Sequence, residues 1–177
     1  MNNSEDYRSL RPRNSLLERA DYNGQIGEIK IADVDWVFIQ GSTFRSLTVE
    51  IINLVGTGGI TVLFEAGKKA GRNFSQKILK EGIPPEEVPM WLEVFFTEGG
   101  WGKIKAQADF ANKTALVVID NCATARLVKS EEPTCHFIRG YLSGICETLF
   151  KTNVECIETK CMSKGNACCE FHAQSKR

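Results

Sequence analysis

Residues 131–172 read EEPTCHFIRGYLSGICETLFKTNVECIETKCMSKGNACCEFH, and this stretch decides the fold. Glu131-Glu132-Pro133 predicts a helix start, because carboxylates favour the positive end of a helix and proline tolerates its first turn. Ile138, Tyr141, Leu142, Ile145 and Leu149 then recur every three to four residues, with Arg139, Ser143 and Glu147 opposite. That spacing predicts an amphipathic helix. Asn153 to Met162 and Ala167 to His172 read as two strands turned at Lys164-Gly165-Asn166.

Upstream, Trp101 to Phe110 and Lys113 to Asn121 predict a second hairpin joined at Ala111-Asn112. Its run Ala115-Leu116-Val117-Val118-Ile119 is apolar on both faces, as in a central strand. Three helical segments precede it. Thr43 to Val55 carries Phe44, Leu47, Ile51, Leu54 and Val55 at helical spacing. A second segment puts Leu63, Ala66, Gly67, Ala70, Gly71, Phe74 and Ile78 on one face. Glu86 to Thr97, after the Pro84-Pro85 break, carries Val88, Trp91, Leu92 and Phe95. Gly56-Thr57-Gly58-Gly59 reads as a turn, since it lacks the strand-to-helix context of a dinucleotide loop. Gly67 and Gly71, like Gly140 and Gly144, lie four apart inside apolar stripes. Each costs about 1 kcal/mol of helix propensity relative to Ala, which points to close helix packing. Gln25 to Gln40 alternates loosely, as one or two strands, and residues 1–24 read as a flexible polar arm. The expectation is one α+β domain over residues 25–177, with helices packed on an antiparallel sheet.

Composition narrows the function. Lys plus Arg and Asp plus Glu both number 22, so the chain lacks the positive surplus of a nucleic-acid binder. No apolar run reaches the ~20 residues that span a bilayer, and residues 1–15 show no apolar signal stretch. A cytoplasmic location is therefore expected. All 7 cysteines fall at or after Cys122, an odd number that argues for metal ligation over a secreted disulfide framework. The terminal hairpin brings Cys161 and Cys169 within reach of each other, with Cys135 at the helix start. The residues leave the fourth donor open among Glu158, Cys156, His136 and His172. In a regular strand Glu158 and Cys161 would face opposite sides, so using both requires a bulge or a strand end. Cys122, Cys146, Cys156 and Cys168 read as buried or incidental thiols.

Glu132-Pro133-Thr134-Cys135, Gly140-Tyr141-Leu142-Ser143-Gly144, Glu158-Thr159-Lys160-Cys161, Gly165 and Cys169 together resemble the 4-vinyl reductase domain family, over about residues 112–173. Glu65 to Gly71 is similar to the helix that precedes this domain in the family. The resemblance implies a homodimeric fold akin to haem nitric-oxide-binding domains and to an acyl-chain-holding Golgi transport subunit. It also implies a zinc ion held by Cys135, Glu158, Cys161 and Cys169, as in the aromatic-compound-sensing activators that carry this domain. Cys156 stays as the alternative to Glu158. The expected function is binding or sensing of a hydrophobic small molecule beside a structural zinc. Phe74, Trp91, Phe95, Trp101 and Tyr141 are the expected pocket lining. Two other readings compete: an enzyme or accessory in tetrapyrrole vinyl reduction, and a purely structural zinc-stabilised dimer. The first needs a reductant, and the sequence shows no nicotinamide or flavin motif. Three thiolates and a carboxylate give a zinc site a net charge near minus two, so Lys160, Lys164 or Arg139 is expected nearby. The residues show no ATPase loop or helix-turn-helix, so a separate signalling partner is expected, with the arm and the Thr43 to Val55 helix as dimer contacts.

Overall fold

The computed structural model describes residues 17–31 and 34–176. Asp21–Asn23 (β1), Glu28–Ile31 (β2) and Val34–Asp35 (β3) pair as a small antiparallel ribbon. Gly41–Val55 (α1), Thr57–Lys80 (α2) and Val88–Glu98 (α3) follow, then the hairpin of Lys103–Asp109 (β4) and Thr114–Asp120 (β5). His136–Phe150 (α4), Val154–Lys160 (β6) and Cys169–Ser175 (β7) complete the chain. The four later strands form one antiparallel sheet in the order β4-β5-β7-β6. The fold is α+β, with helices packed on that sheet.

Alternation explains which face the helices cover. Cys169, Phe171 and Ala173 of β7 are buried, as are Val117 and Ile119 of β5 and Val154 and Cys156 of β6. Residues two apart share a face, so these side chains form one apolar layer. Against it lie Ile138, Leu142, Ile145 and Leu149 of α4 and Val88, Trp91, Leu92 and Phe96 of α3. α2 crosses the other face of α4 at glycine. A Cβ on Gly71 would overlap the Tyr141 carbonyl oxygen, and one on Gly140 would overlap the Phe64 carbonyl oxygen. Gly67 and Gly144 are blocked in the same way by Phe137 and Lys68. The glycine spacing thus marks a contact of backbone on backbone.

Several boundaries differ from the sequence reading. Only Gly56, at φ 64°, breaks the chain between α1 and α2; Thr57, Gly58 and Gly59 are already helical. α4 begins at His136, so Glu131-Glu132-Pro133 is a loop and Cys135 is the N-cap rather than a first-turn residue. That loop is pinned to the terminal hairpin: the Ser130 amide donates to the Ser163 carbonyl at 3.0 Å, and the Ser163 hydroxyl donates to the Glu132 carbonyl. Of the arm expected over residues 1–24, residues 1–16 lie outside the described residues, and Asp21–Asn23 forms β1.

Candidate metal centre and aromatic cavities

Cys135, Glu158, Cys161 and Cys169 come from three elements that meet at one end of the sheet. Cys135 caps α4, Glu158 lies near the end of β6, Cys161 follows β6, and Cys169 opens β7. One donor atom from each lies within 4.8 Å of all the others. Cys135 Sγ is 3.9 Å from Cys161 Sγ and 3.7 Å from Cys169 Sγ. A tetrahedral ion with bonds of about 2.3 Å sets its sulfurs about 3.8 Å apart, so this spacing suits a metal. The β6–β7 register shifts between Glu158 and Lys160. That bulge interrupts the strand alternation and lets Glu158 and Cys161 serve the same cluster.

The electrostatics of the cluster call for a cation. Burial, followed by the neighbouring Cys161, pushes the Glu158 carboxyl up to about 8. One of its oxygens accepts from the Cys135 amide at 3.3 Å. The other, Oε1, is buried and has no hydrogen-bond partner among the described residues. A buried carboxylate oxygen left without a donor is costly unless something positive meets it. Hydrogen bonds to Cys135 pull the thiols of Cys122 and Cys161 down, and hydrogen bonds from Cys122 push those of Cys135 and Cys169 up. The sulfurs therefore compete for few protons, as metal-ligating thiols do. Polar groups already face them: Thr124 donates to Cys135 Sγ at 3.2 Å, the Met162 amide donates to Cys169 Sγ at 3.3 Å, and Ser163 Oγ lies 3.0 Å from Cys161 Sγ.

The remaining candidates scatter, with one exception. Cys146 and Cys156 are buried away from the centre, and burial pushes the Cys146 thiol up to about 12. Cys168 is half-exposed, and His172 sits in solvent, 3.2 Å from Glu170. Burial lowers His136. Lys160 is held by Glu170 at 2.8 Å, and Arg139 acts on His136 and Cys156. Cys122 is the exception. The sequence suggested an incidental thiol, yet its Sγ lies 3.7 Å from Cys135 Sγ and it is fully buried. Its place was hard to read because β5 pairs with β7 so that Ile119 faces Cys169, which carries the residue just past β5 to the cluster.

A second feature lies between the helices and the small ribbon. Trp36 stands between two cavities of about 330 and 290 Å³. Phe38, Phe44 and Trp101 line the larger, and Phe74, Phe95 and Tyr141 line the smaller. Trp36 stacks on Phe95 at 6.2 Å, and Phe44 meets Trp101 edge-on at 5.2 Å. The Trp36 indole N–H is buried and unpartnered among the described residues. Burial pushes the Tyr141 hydroxyl up, so it stays neutral. Of the expected lining residues, Phe74, Phe95, Trp101 and Tyr141 face a cavity, while Trp91 packs in the core. Trp36 and Phe44 were missed because an aromatic in a strand or helix pattern reads first as core.

The fold and this cysteine-rich end define a small α+β domain with a thiolate-rich cluster. Residues 116–175 match the family model of the vinyl-4-reductase domain, so the last third of the chain carries this domain. The Methanocaldococcus jannaschii protein MJ0745 is 27% identical over 112 residues, which are 63% of this chain and 55% of that protein. The chain thus spans about half the length of that relative. Among solved structures, the phenol-responsive sensory domain of the transcription activator PoxR, with phenol, superimposes with a TM-score of 0.75 at 14% identity. That match covers 90% of this chain and 86% of the domain. A palmitate-bound trafficking protein particle complex subunit 3 from Naegleria fowleri gives 0.52 at 18% identity, covering 78% of this chain and 98% of that one. An H-NOX protein from S. oneidensis gives 0.54 at 14%, covering 81% and 80%. These likenesses establish the fold. No helix among the described residues is long and apolar enough to cross a membrane.

Proposed function

We propose that the protein is a sensing or carrier module for a small, largely apolar ligand, braced by a structural zinc ion. The observation that carries the ligand half is the pair of aromatic cavities flanking Trp36, with its buried and unpartnered N–H. Ligand sites are mostly apolar with a few placed polar groups, and this one offers aromatic walls and one open donor. An apolar cavity of about 150 Å³ holds benzene, so either cavity suits a one- or two-ring compound or a short acyl chain. The structural relatives with bound phenol and palmitate support this ligand class.

Zinc would be held by Cys135, Glu158, Cys161 and Cys169, a set that closes all four positions and leaves none for a substrate. It would supply a cross-link between the start of α4 and the β6–β7 hairpin. The chain's own residues orient the donors: Thr124, Ser163 and the Met162 amide fix the sulfurs. The proposed domain spans residues 25–177, and it works as a homodimer that passes its signal to a separate partner. Support for the dimer comes from α1, which buries none of its side chains here and leaves Leu54 83% exposed, beside the exposed Val37 and Phe38.

The ligand reading is tested by titrating the protein with phenol, toluene and octanoate while following tryptophan fluorescence and melting temperature. A compound at about 100 times its Kd adds about 2.7 kcal/mol, or about 5–11 °C for a chain of this size. Trp36→Phe keeps a ring but removes the donor, so it should weaken phenol about 2–10-fold and leave toluene unchanged. No shift from any compound would overturn the reading.

A further inference from the structure

The centre holds more donors than a four-coordinate ion can use. Beside the four residues above, Cys122 is fully buried, and its sulfur is as close to Cys135 Sγ, at 3.7 Å, as Cys169 Sγ is. Cys122 also hydrogen-bonds with Cys169. Glu158 reaches the cluster from another side, through the Cys135 amide and Cys161. Two donors therefore flank the same three thiols, each against a different pair. The chain holds Cys122 in place by donating its amide to Met162 Sδ at 3.3 Å. Its thiol rests 3.2 Å from the Thr124 hydroxyl, which itself donates to Cys135 Sγ. A thiol donating to that oxygen is satisfied without touching the ion, yet it is one short movement from coordination.

We propose that Cys122 is the exchange ligand of the centre, taking the fourth position from Glu158 when the carboxylate is lost or when the ion is softer than zinc. The inference rests on the zinc reading above. Its chemistry is that of ligand softness: a carboxylate suits a borderline ion, and a fourth thiolate suits a more thiophilic one. With zinc the site is three sulfurs and one oxygen. With cadmium it becomes four sulfurs, Cys122, Cys135, Cys161 and Cys169. No such role fits Cys146, which is buried elsewhere, or the half-exposed Cys168.

X-ray absorption at the metal edge, on the full chain, counts the sulfur neighbours directly. The wild type loaded with zinc should show three sulfurs and one oxygen. Glu158→Gln should keep one zinc per chain and show four sulfurs, and Glu158→Gln with Cys122→Ser should lose the metal. Wild type loaded with cadmium should show four sulfurs, and Cys122→Ser should return it to three. That second arm does not depend on Glu158→Gln folding. Three sulfurs for wild-type cadmium, or an empty Glu158→Gln beside a loaded wild type, overturns the exchange alone. A wild type that takes up no zinc overturns the zinc reading and the exchange with it.

Discussion

Replacing Gly71 by Ala tests the packing on which both the cavities and the metal end depend. A methyl there would overlap the Tyr141 carbonyl oxygen and lie 2.8 Å from its carbonyl carbon and 3.0 Å from its Cα. Carbon atoms rest at about 3.5–4.0 Å, so α2 and α4 must part by about 0.5–1 Å. The obstacle is backbone, which has no rotamer to yield. Overpacking of this kind costs about 1–3 kcal/mol, and here the upper end applies. Better helix propensity returns about 1 kcal/mol, leaving a net loss of about 2 kcal/mol. In a chain of 177 residues that is about 4–8 °C in melting temperature. Gly41→Ala is the control, because its Cβ would meet only the far end of the Arg45 side chain, at 3.3 Å. Urea unfolding of both variants gives the comparison. Gly71→Ala as stable as Gly41→Ala would refute the argument that these glycines exist for backbone contact.

Three further outcomes are expected. Cys161→Ser or Cys169→Ser should lose the zinc and at least about 4 kcal/mol of stability, whereas Cys146→Ser and Cys168→Ser should keep the zinc; elemental analysis and melting curves decide it. Burial raises the Glu147 carboxyl, but Lys68 at 2.7 Å, together with Arg72, outweighs burial and holds it below its ordinary range. A carboxyl lowered on folding stabilises above its unfolded value of about 4.3 and loses that contribution as pH falls through the folded value. The stability gap between wild type and Glu147→Gln should therefore shrink below about pH 5, and a constant gap would contradict the ion pairing. Light scattering at micromolar concentration should give two chains per particle, and Leu54→Lys on the exposed face of α1 should shift it toward one.

The fold was largely legible because each element carries its period openly. The run Ala115 to Ile119 announced a central strand, and β5 sits between β4 and β7. The paired glycines announced a helix crossing before any partner was known. What local pattern could not supply was register. Cys122 lies 13 residues before Cys135 and looks unrelated to it, and only the pairing of β5 with β7 brings them together. The start of α4 was placed too early because Glu131 and Pro133 satisfy helix-start chemistry, yet the tie between Ser130 and Ser163 holds that segment as a loop. Trp36 was read as a strand residue because alternation gives a side chain's face and says nothing of a void beside it.

The central claim is that a zinc-braced vinyl-4-reductase domain encloses a small apolar ligand. Native mass spectrometry of the gently purified protein tests it most directly, before and after incubation with phenol and octanoate. The predicted spectrum shows one zinc per chain and an added mass for at least one compound, diminished in Trp36→Phe for phenol. A bare polypeptide mass that retains neither zinc nor any compound would contradict it.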